Sequence, residues 1–330
     1  MSENIPPFNI SEKMLDLVSN IMEKIGKLDK YNNFNRMPIL RKNSRIRSIQ
    51  SSLAIETNSL SISQVKDVID GRYVIGEQKE IQEVKNAYDA YEEIDNINPY
   101  CIEDLKRVHG IMTRLIIEDS GNFRNHPEGV FDGNVCVFMA PSEKIVPELM
   151  DNLYDWLNVK KEEIHPLILS SIFHYEFLFI HPFSDGNGRM ARLWQNVILS
   201  KWKEIFKYVP IESQIKKYQE DYYNVISKCH INGNSNEFIE FMLQMIDETL
   251  TELIETTEKQ VNHTNTYVKK MLEVMETDIG LSAYEIMEKL DLKSKETFRK
   301  NYMDPAIEAG FVKLTIPDKP TSKNQKYYKI

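Results

Sequence analysis

Twelve residues, His181-Pro-Phe-Ser-Asp-Gly-Asn-Gly-Arg-Met-Ala-Arg192, place an imidazole, a carboxylate and two guanidinium groups around a pair of glycines. His181 can take or give a proton near neutral pH. Asp185 is a hard oxygen donor suited to Mg2+ beside phosphates. Gly186, Asn187 and Gly188 tolerate positive φ and let the backbone close into a tight, concave turn. Arg189 and Arg192 stand three apart, so in the first turn of a following helix both would project from one face toward the same anion. The unpaired N–H groups and positive dipole end of that helix would face the loop as well. Together these groups suit phosphate handling with a base at hand.

Two helices must hold such a loop. Leu167 to Ile180 is an apolar run broken mainly by His174 and Glu176, and Pro182 removes a donor and steers His181 out of helical geometry. A second apolar-periodic run starts near Gly188. Asp-Gly-Asn-Gly would also serve as a hairpin turn, but the helical periodicity on both sides argues against one. A different chemistry stays open: His174, His181 and Asp185 could ligate one ion for metal-assisted hydrolysis, although their spacing is not that of H-E-x-x-H.

The fixed positions His181, Phe183, Asp185, Gly186, Asn187, Gly188, Arg189 and Arg192 resemble the signature of Fic-domain proteins, H-x-F-x-[D/E]-G-N-G-R-x-x-R, with every place filled. The resemblance implies a mainly α fold, a Fic-type helical bundle with a β-hairpin flap. It implies transfer of AMP from ATP to a Ser, Thr or Tyr hydroxyl of another protein, or of this chain itself, with release of pyrophosphate. His181 would be the base and Asp185 the Mg2+ ligand. Gly186, Asn187, Gly188, Arg189 and Arg192 would bind phosphates, and Phe183 would anchor the loop in the core.

Upstream, Ser52 and Glu56 are four apart and share a helical face. The run Ser52-Leu-Ala-Ile-Glu-Thr-Asn58 is similar to the inhibitory motif of that family, [S/T]-x-x-x-E-[G/N], in the version placed before the core. The resemblance implies that Glu56 reaches Arg192 and takes the space of the γ-phosphate. Thr57 stands where Gly is commoner, so the helix end and the tightness of inhibition are expected to differ. The same site could instead remove AMP, with Glu56 orienting a water.

Between Gly121 and Pro147 the helical period lapses. Val130, Phe131 and the run from Val135 to Phe138 predict a β-hairpin turning at Asp132-Gly-Asn134. In position it matches the Fic flap, where Val135, Cys136, Val137 and Phe138 would offer an edge to an extended target peptide; an ordinary packed hairpin is the other reading. Gly121-Asn-Phe-Arg124 and Ala140-Pro141 are similar to the flap's flanks, with Ala140 where Pro is frequent. Tyr222 and Tyr223 lie on a helical pattern from Lys217 to Cys229 and read as core residues with satisfied hydroxyls. The resemblance suggests that one or both border the adenine pocket, with Asn232 nearby.

A chain of 330 residues has room for two domains with ample core. No apolar run approaches membrane-spanning length, and Met-Ser-Glu-Asn-Ile-Pro-Pro lacks the regions of a secretory signal. Cys101, Cys136 and Cys229 are scattered without a disulfide or metal-ligand spacing, which points to a cytoplasmic protein. A formal charge of −9 argues against general coating of nucleic acid. The sequence is compatible with a homo-oligomer.

The expected organisation is N-terminal helices over 1–100, with the inhibitory helix at about 37–58; a catalytic core over 101–258, with flap 121–147 and loop 181–192; and a C-terminal domain over 259–330. Helical patterns cover Ser11 to Ile25, Met37 to Glu56, Ser61 to Ile69 behind a Ser61/Gln64 capping box, Gln78 to Ile94, Ile102 to Ile117 and Phe238 to Glu258. Asn32, Asn33 and Asn35 mark a loop, and residues 262–266 read as a connector. After it come helices at Tyr267 to Met275, at Tyr284 to Leu290 behind Ser282, and from Lys295 behind Ser294, then two β-like runs at Phe311 to Ile316 and Gln325 to Ile330. That order resembles a winged helix-turn-helix. From Ser282 onward ten Lys and Arg face seven Asp and Glu, a net of +3. Lys295, Arg299 and Lys300 could meet DNA phosphates, or the domain could serve protein contacts.

Overall fold

The computed structural model describes residues 6–30, 38–132, 135–263, 266–276, 279–308, 311–317, 319–320 and 322–329. The chain divides into two compact units, residues 1–23 with 44–250 and residues 24–43 with 251–330. The fold is mainly helical. In chain order come α1 (Glu12–Lys30), α2 (Pro38–Ile55), α3 (Ile62–Ile69), α4 (Gln78–Glu92) and α5 (Ile102–Thr113). A hairpin, β1 (Gly129–Asp132) and β2 (Val135–Met139), precedes α6 (Val146–Lys160), α7 (Pro166–Ile180), α8 (Asn187–Trp202), α9 (Ile211–Lys217), α10 (Gln219–Asn232) and α11 (Asn236–His263).

The first unit is built around α7 and α8, which pack on each other, with α6 against α7. Leu169, Ile172, Phe173 and Phe177 of α7 and Leu193, Trp194 and Val197 of α8 are fully buried. α7 is buried from Leu167 to Tyr175, as its apolar circumference requires, while Glu176, Leu178 and Phe179 near its C-terminus stay partly open. Local signals fix the ends. Ser61 and Gln64 form the predicted capping box of α3, and Gly71 beyond its end takes φ +73°. Pro166 opens α7 within the first turn, where a missing N–H costs nothing.

Two expectations fall short here. α5 stops at Thr113 rather than Ile117, because Leu115 turns to φ +63° and the Asn86 amide donates to the Arg114 carbonyl at 2.7 Å, ending the helix with a side-chain partner. α6 was not expected at all, although Met150, Leu153, Tyr154 and Leu157 sit buried at helical spacing. The hairpin is antiparallel, with Val130 opposite Phe138 and Asp132 opposite Val135, and the register shifts between Val130 and Phe131. The expected turn residues Gly133 and Asn134 lie outside the described residues, as do Asn32, Asn33 and Asn35.

The second unit carries α12 (Thr266–Val274), β3 (Leu281–Ser282), α13 (Ala283–Lys289) and α14 (Lys295–Phe298). A π-helical turn, Arg299–Met303, leads to α15 (Asp304–Glu308), β4 (Val312–Leu314) and β5 (Lys326–Lys329). Both predicted caps form: Ser282 with Glu285 as a capping box on α13, and Ser294 on α14. The sheet order is β3-β5-β4, antiparallel throughout, so the two predicted β runs gain a short third strand. Met271, Ile286, Phe298, Tyr302 and Met303 share one buried cluster. Lys295, Arg299 and Lys300 are exposed, and Arg299 pairs with Asp304 at 3.4 Å.

Candidate active site

The loop between α7 and α8 begins with a sharp reversal. Pro182 disfavours right-handed helical geometry at His181, which adopts the left-handed region at φ +51°, ψ +58° as the C-cap of α7. An L-residue rarely stays there unless its surroundings hold it. Arg124 does the holding: its Nε donates to the His181 carbonyl at 2.7 Å and its Nη2 to that of Pro141 at 2.6 Å, while its backbone N–H donates to Pro182 O at 2.9 Å. One buried guanidinium thus ties the loop to both flanks of the hairpin. Burial lowers the His181 pKa below the usual 6.5, and the Arg124 charge lowers it further against the opposing pull of a Leu178 backbone hydrogen bond, Glu56 and Asp185. The imidazole is therefore neutral at pH 7 and able to accept a proton.

Phe183 is fully buried and stacks on His109, with ring centroids 3.6 Å apart and planes within 4°. The Gly121 N–H donates to His109 Nδ1 at 2.9 Å, so Nε2 carries the proton and donates to Asp185 O at 3.0 Å. Burial holds His109 neutral, its pKa lowered to about 4. The Asn187 side chain brackets the bend by accepting from Phe183 N–H at 3.0 Å and donating to Phe183 O at 2.8 Å. Its amide is a brace for the loop.

α8 starts at Asn187 behind Gly186, whose φ of +82° suits glycine; a Cβ there would also press on Thr113. Arg189 donates to Asp185 Oδ1 at 2.9 Å and pairs with Glu83 at 3.4 Å, while its buried Nε has no partner among the described residues. Arg192, 2% exposed, donates from Nε to the Ser52 hydroxyl at 3.1 Å, and from Nη2 to Ser52 O at 3.0 Å and Glu56 Oε1 at 2.8 Å. Burial opposes its charge, but the Glu56 carboxylate more than compensates and raises its pKa.

Glu56 lies directly over the start of α8, since a methyl group added to Gly188 would overlap its carboxylate. The start of α8 thus already faces a carboxylate supplied by the chain itself. Behind Glu56, α2 ends in a Schellman motif: Asn58 N–H donates to Leu53 O and Thr57 N–H to Ala54 O, with Thr57 in the left-handed position at φ +70°. A β-branched residue is poorly suited to that conformation. Lys216 Nζ donates to Ala54 O at 2.9 Å and Gln219 Nε2 to Ile55 O at 3.1 Å, satisfying the last carbonyls of the helix.

The remaining predicted residues divide. Tyr223 is half exposed and donates to Ile55 O at 3.4 Å, which places it at the end of the Glu56 helix. Tyr222 is buried and its hydroxyl donates to His174 Nε2 at 2.9 Å, while His174 Nδ1 donates to Gln195 at 2.6 Å. This interior chain leaves His174 no lone pair for a metal, so the three-ligand reading with His181 and Asp185 fails. Asn232 is exposed beside Glu237. The backbones of Val135, Cys136, Val137 and Phe138 form β2, and the Phe138 ring stacks on His230 with centroids 4.1 Å apart. Sequence reasoning passed over His109, Glu83 and Glu212. Fully buried Glu212 accepts from Tyr91 and Asn196 at 2.6 Å and from Ser48 at 2.8 Å, joining α2, α4 and α8.

Among the described residues no cluster of three His, Cys, Asp or Glu side chains could hold a metal. Asp185, with 41% of its side chain exposed, is a single carboxylate paired with Arg189 beside the start of α8. That donor set fits Mg2+, which keeps several waters and binds one or two carboxylates together with phosphate oxygens.

Residues 99–199 match the Fic/DOC family model, and residues 266–329 match the model described as filamentation induced by cAMP protein Fic-like, C-terminal domain. A Fic family protein of known structure from Desulfovibrio desulfuricans G20 is 40% identical, with a TM-score of 0.74 over 99% of this chain and 98% of that one. This chain belongs to the Fic family. The fold also resembles Fic-1 from C. elegans, with a TM-score of 0.61 at 22% identity over 75% of this chain and 72% of that one. Proteins named protein adenylyltransferase Fic are similar in sequence: that of Nematostella vectensis is 25% identical over 75% of this chain and 57% of its own length, and that of Aedes aegypti 27% identical over 63% and 42%. The chain thus spans about half the length of these curated relatives. No helix among the described residues is long and apolar enough to cross a membrane.

Proposed function

We propose that this Fic protein is a protein adenylyltransferase that transfers AMP from ATP to a Ser, Thr or Tyr hydroxyl, and that Glu56 holds it inactive. The observation that carries the reading is the Glu56 carboxylate lying on the start of α8 and bonded to Arg192, beside a neutral His181. A group of one negative charge occupies a seat built for several. His181 accepts the proton of the attacking hydroxyl as its oxygen forms a bond to the α-phosphorus, and the bond from that phosphorus to the α,β-bridging oxygen breaks. Pyrophosphate leaves with the electron pair. Backbone N–H groups at the start of α8 face the charge that builds on the phosphoryl oxygens, and Arg189 and Arg192 position the departing phosphates. Asp185 would hold Mg2+, which supplies further neutralisation of phosphate charge when bound.

The test is labelled-ATP transfer by the Glu56→Gly protein to lysate proteins and to itself. Transfer should rise at least about tenfold, the equivalent of about 1.4 kcal/mol at the barrier. Adding His181→Ala should remove about a hundredfold or more while ATP still binds. Unchanged transfer in Glu56→Gly would remove the inhibitory role, and full transfer without His181 would remove the base. The 39% exposure of the Glu56 side chain favours one second reading, in which Glu56 orients a water that removes AMP from a modified protein. Release of AMP from a pre-modified target by the unaltered chain, lost in Glu56→Gly, would distinguish it.

A further inference from the structure

Glu176 interrupts the apolar face of α7, and nothing in the proposed reaction uses it. It lines a cavity of about 160 Å³ together with Asn152, Tyr175, His230, Leu149 and Phe179. Among the described residues no hydrogen bond or ion pair reaches its carboxylate, and burial alone pushes its pKa up to about 7. His230 Nε2 is buried in the same region and makes no hydrogen bond among the described residues. Glu176 is partly buried, a partly desolvated carboxylate without a partner is costly, and a cation brought to it offsets part of that cost.

A cavity of this size admits a molecule of about six heavy atoms, roughly a Lys or Arg side chain. Such side chains lay an aliphatic stem along apolar walls and keep the cationic head at a polar end. Among the lining residues Leu149 and Phe179 are apolar, Glu176 and Asn152 polar, and Tyr175 aromatic, a set that suits an aliphatic stem with a cationic head. The cavity adjoins the site where a protein substrate would dock. His230 stacks on Phe138 of β2, Phe179 lies 5.7 Å from Phe138 between ring centroids, and Ile180, which also lines the cavity, directly precedes His181. Extended chain advances about 3.3 Å per residue, so a strand lying on the hairpin brings a residue a few positions from the acceptor hydroxyl within reach.

We propose that this cavity binds a Lys or Arg side chain of the protein substrate, with Glu176 as the counter-ion that reads it. The inference rests on the adenylyltransferase reading, and two measurements separate the two. Butylguanidinium titrated against the unaltered chain should bind, and at least tenfold more weakly to Glu176→Gln, while neutral butylurea should show no such difference. In parallel, the Glu56→Gly protein is given peptides with a central Thr and either Arg or the neutral isostere citrulline at each of three positions on either side. The Arg peptide should react at least tenfold faster at one position, and adding Glu176→Gln should bring that ratio to near one. Leu149→Trp, which fills the cavity without removing the carboxylate, should lose the same preference. Absence of Glu176-dependent butylguanidinium binding overturns the proposal. Binding with equal rates on Arg and citrulline peptides overturns it too, since the cavity would then take free guanidinium cations without reading the substrate. Butylguanidinium binding by a Glu56→Gly protein that modifies no peptide overturns the adenylyltransferase reading, and the substrate role of the cavity with it.

Discussion

At the level of single residues, Arg124 governs His181 in two ways. Its hydrogen bonds hold a left-handed backbone that would otherwise relax, and its charge helps keep the imidazole unprotonated. The Arg124→Gln protein, made alongside Glu56→Gly, should lose about tenfold to a hundredfold in kcat with little change in ATP affinity, because the base is displaced while the phosphate seat survives. The pH profile distinguishes this role from general loosening. As the proposed base, His181 accepts a proton only when neutral, so transfer should fall as acid protonates it, with a midpoint below the ordinary 6.5. Removing the Arg124 charge raises the His181 pKa, so the acid limb should move to higher pH. A profile that keeps its midpoint would leave Arg124 a purely structural part. The sequence presented this arginine as one flank of the hairpin; it could not show that one side chain reaches His181, Pro141 and Pro182 at once, since those partners come from three separate segments.

At the level of elements, α2 is held by polar contacts as much as by packing. Ser44, Ser48, Ser51 and Ser52 are buried along it beside Ile49 and Leu53. This mixed face explains why its helical pattern is weaker in sequence than that of α1 or α3, and why Glu212, its buried partner through Ser48, went unnoticed. Thr57 closes the helix in a conformation that costs an L-residue roughly 1–2 kcal/mol, which glycine avoids. Thr57→Gly should therefore favour the state with Glu56 on Arg192 by about 1 kcal/mol and lower basal transfer about fivefold. Equal or higher transfer, measured with labelled ATP, would show that the strain has no share in holding the lock. α6 differs: it opens with Val146 and Pro147 close behind the hairpin flank, with no side-chain cap to mark its start, while Met150, Leu153, Tyr154 and Leu157 carry its helical spacing.

Across the whole molecule, burial lowers His109 to about 4, His174 to about 3 and His230 to about 4, and holds His181 below its ordinary value as well. The unfolded chain protonates them near 6.5, so between about pH 6.5 and 4 it binds protons that the fold refuses, and stability should drop as pH falls through that window. Glu176, raised to about 7, works in the opposite sense over part of the range. His174→Gln removes one such group, so its acid slope should be shallower by up to about 1.4 kcal/mol per pH unit, measured by urea unfolding at pH 7 and pH 5. Parallel slopes would mean that His174 is protonated in the fold. The main architecture was readable because helix periodicity, caps and the glycine-rich bend are local properties. The interior polar chains were not, because each joins residues far apart in sequence. The overlap of Glu56 with the space above Gly188 has one more consequence. If that space takes the third phosphate of a nucleotide, the closed chain distinguishes tri- from diphosphates by count alone: ADP, with nothing to put there, should bind with equal affinity whether residue 56 is glutamate or glycine, whereas ATP should gain from the exchange.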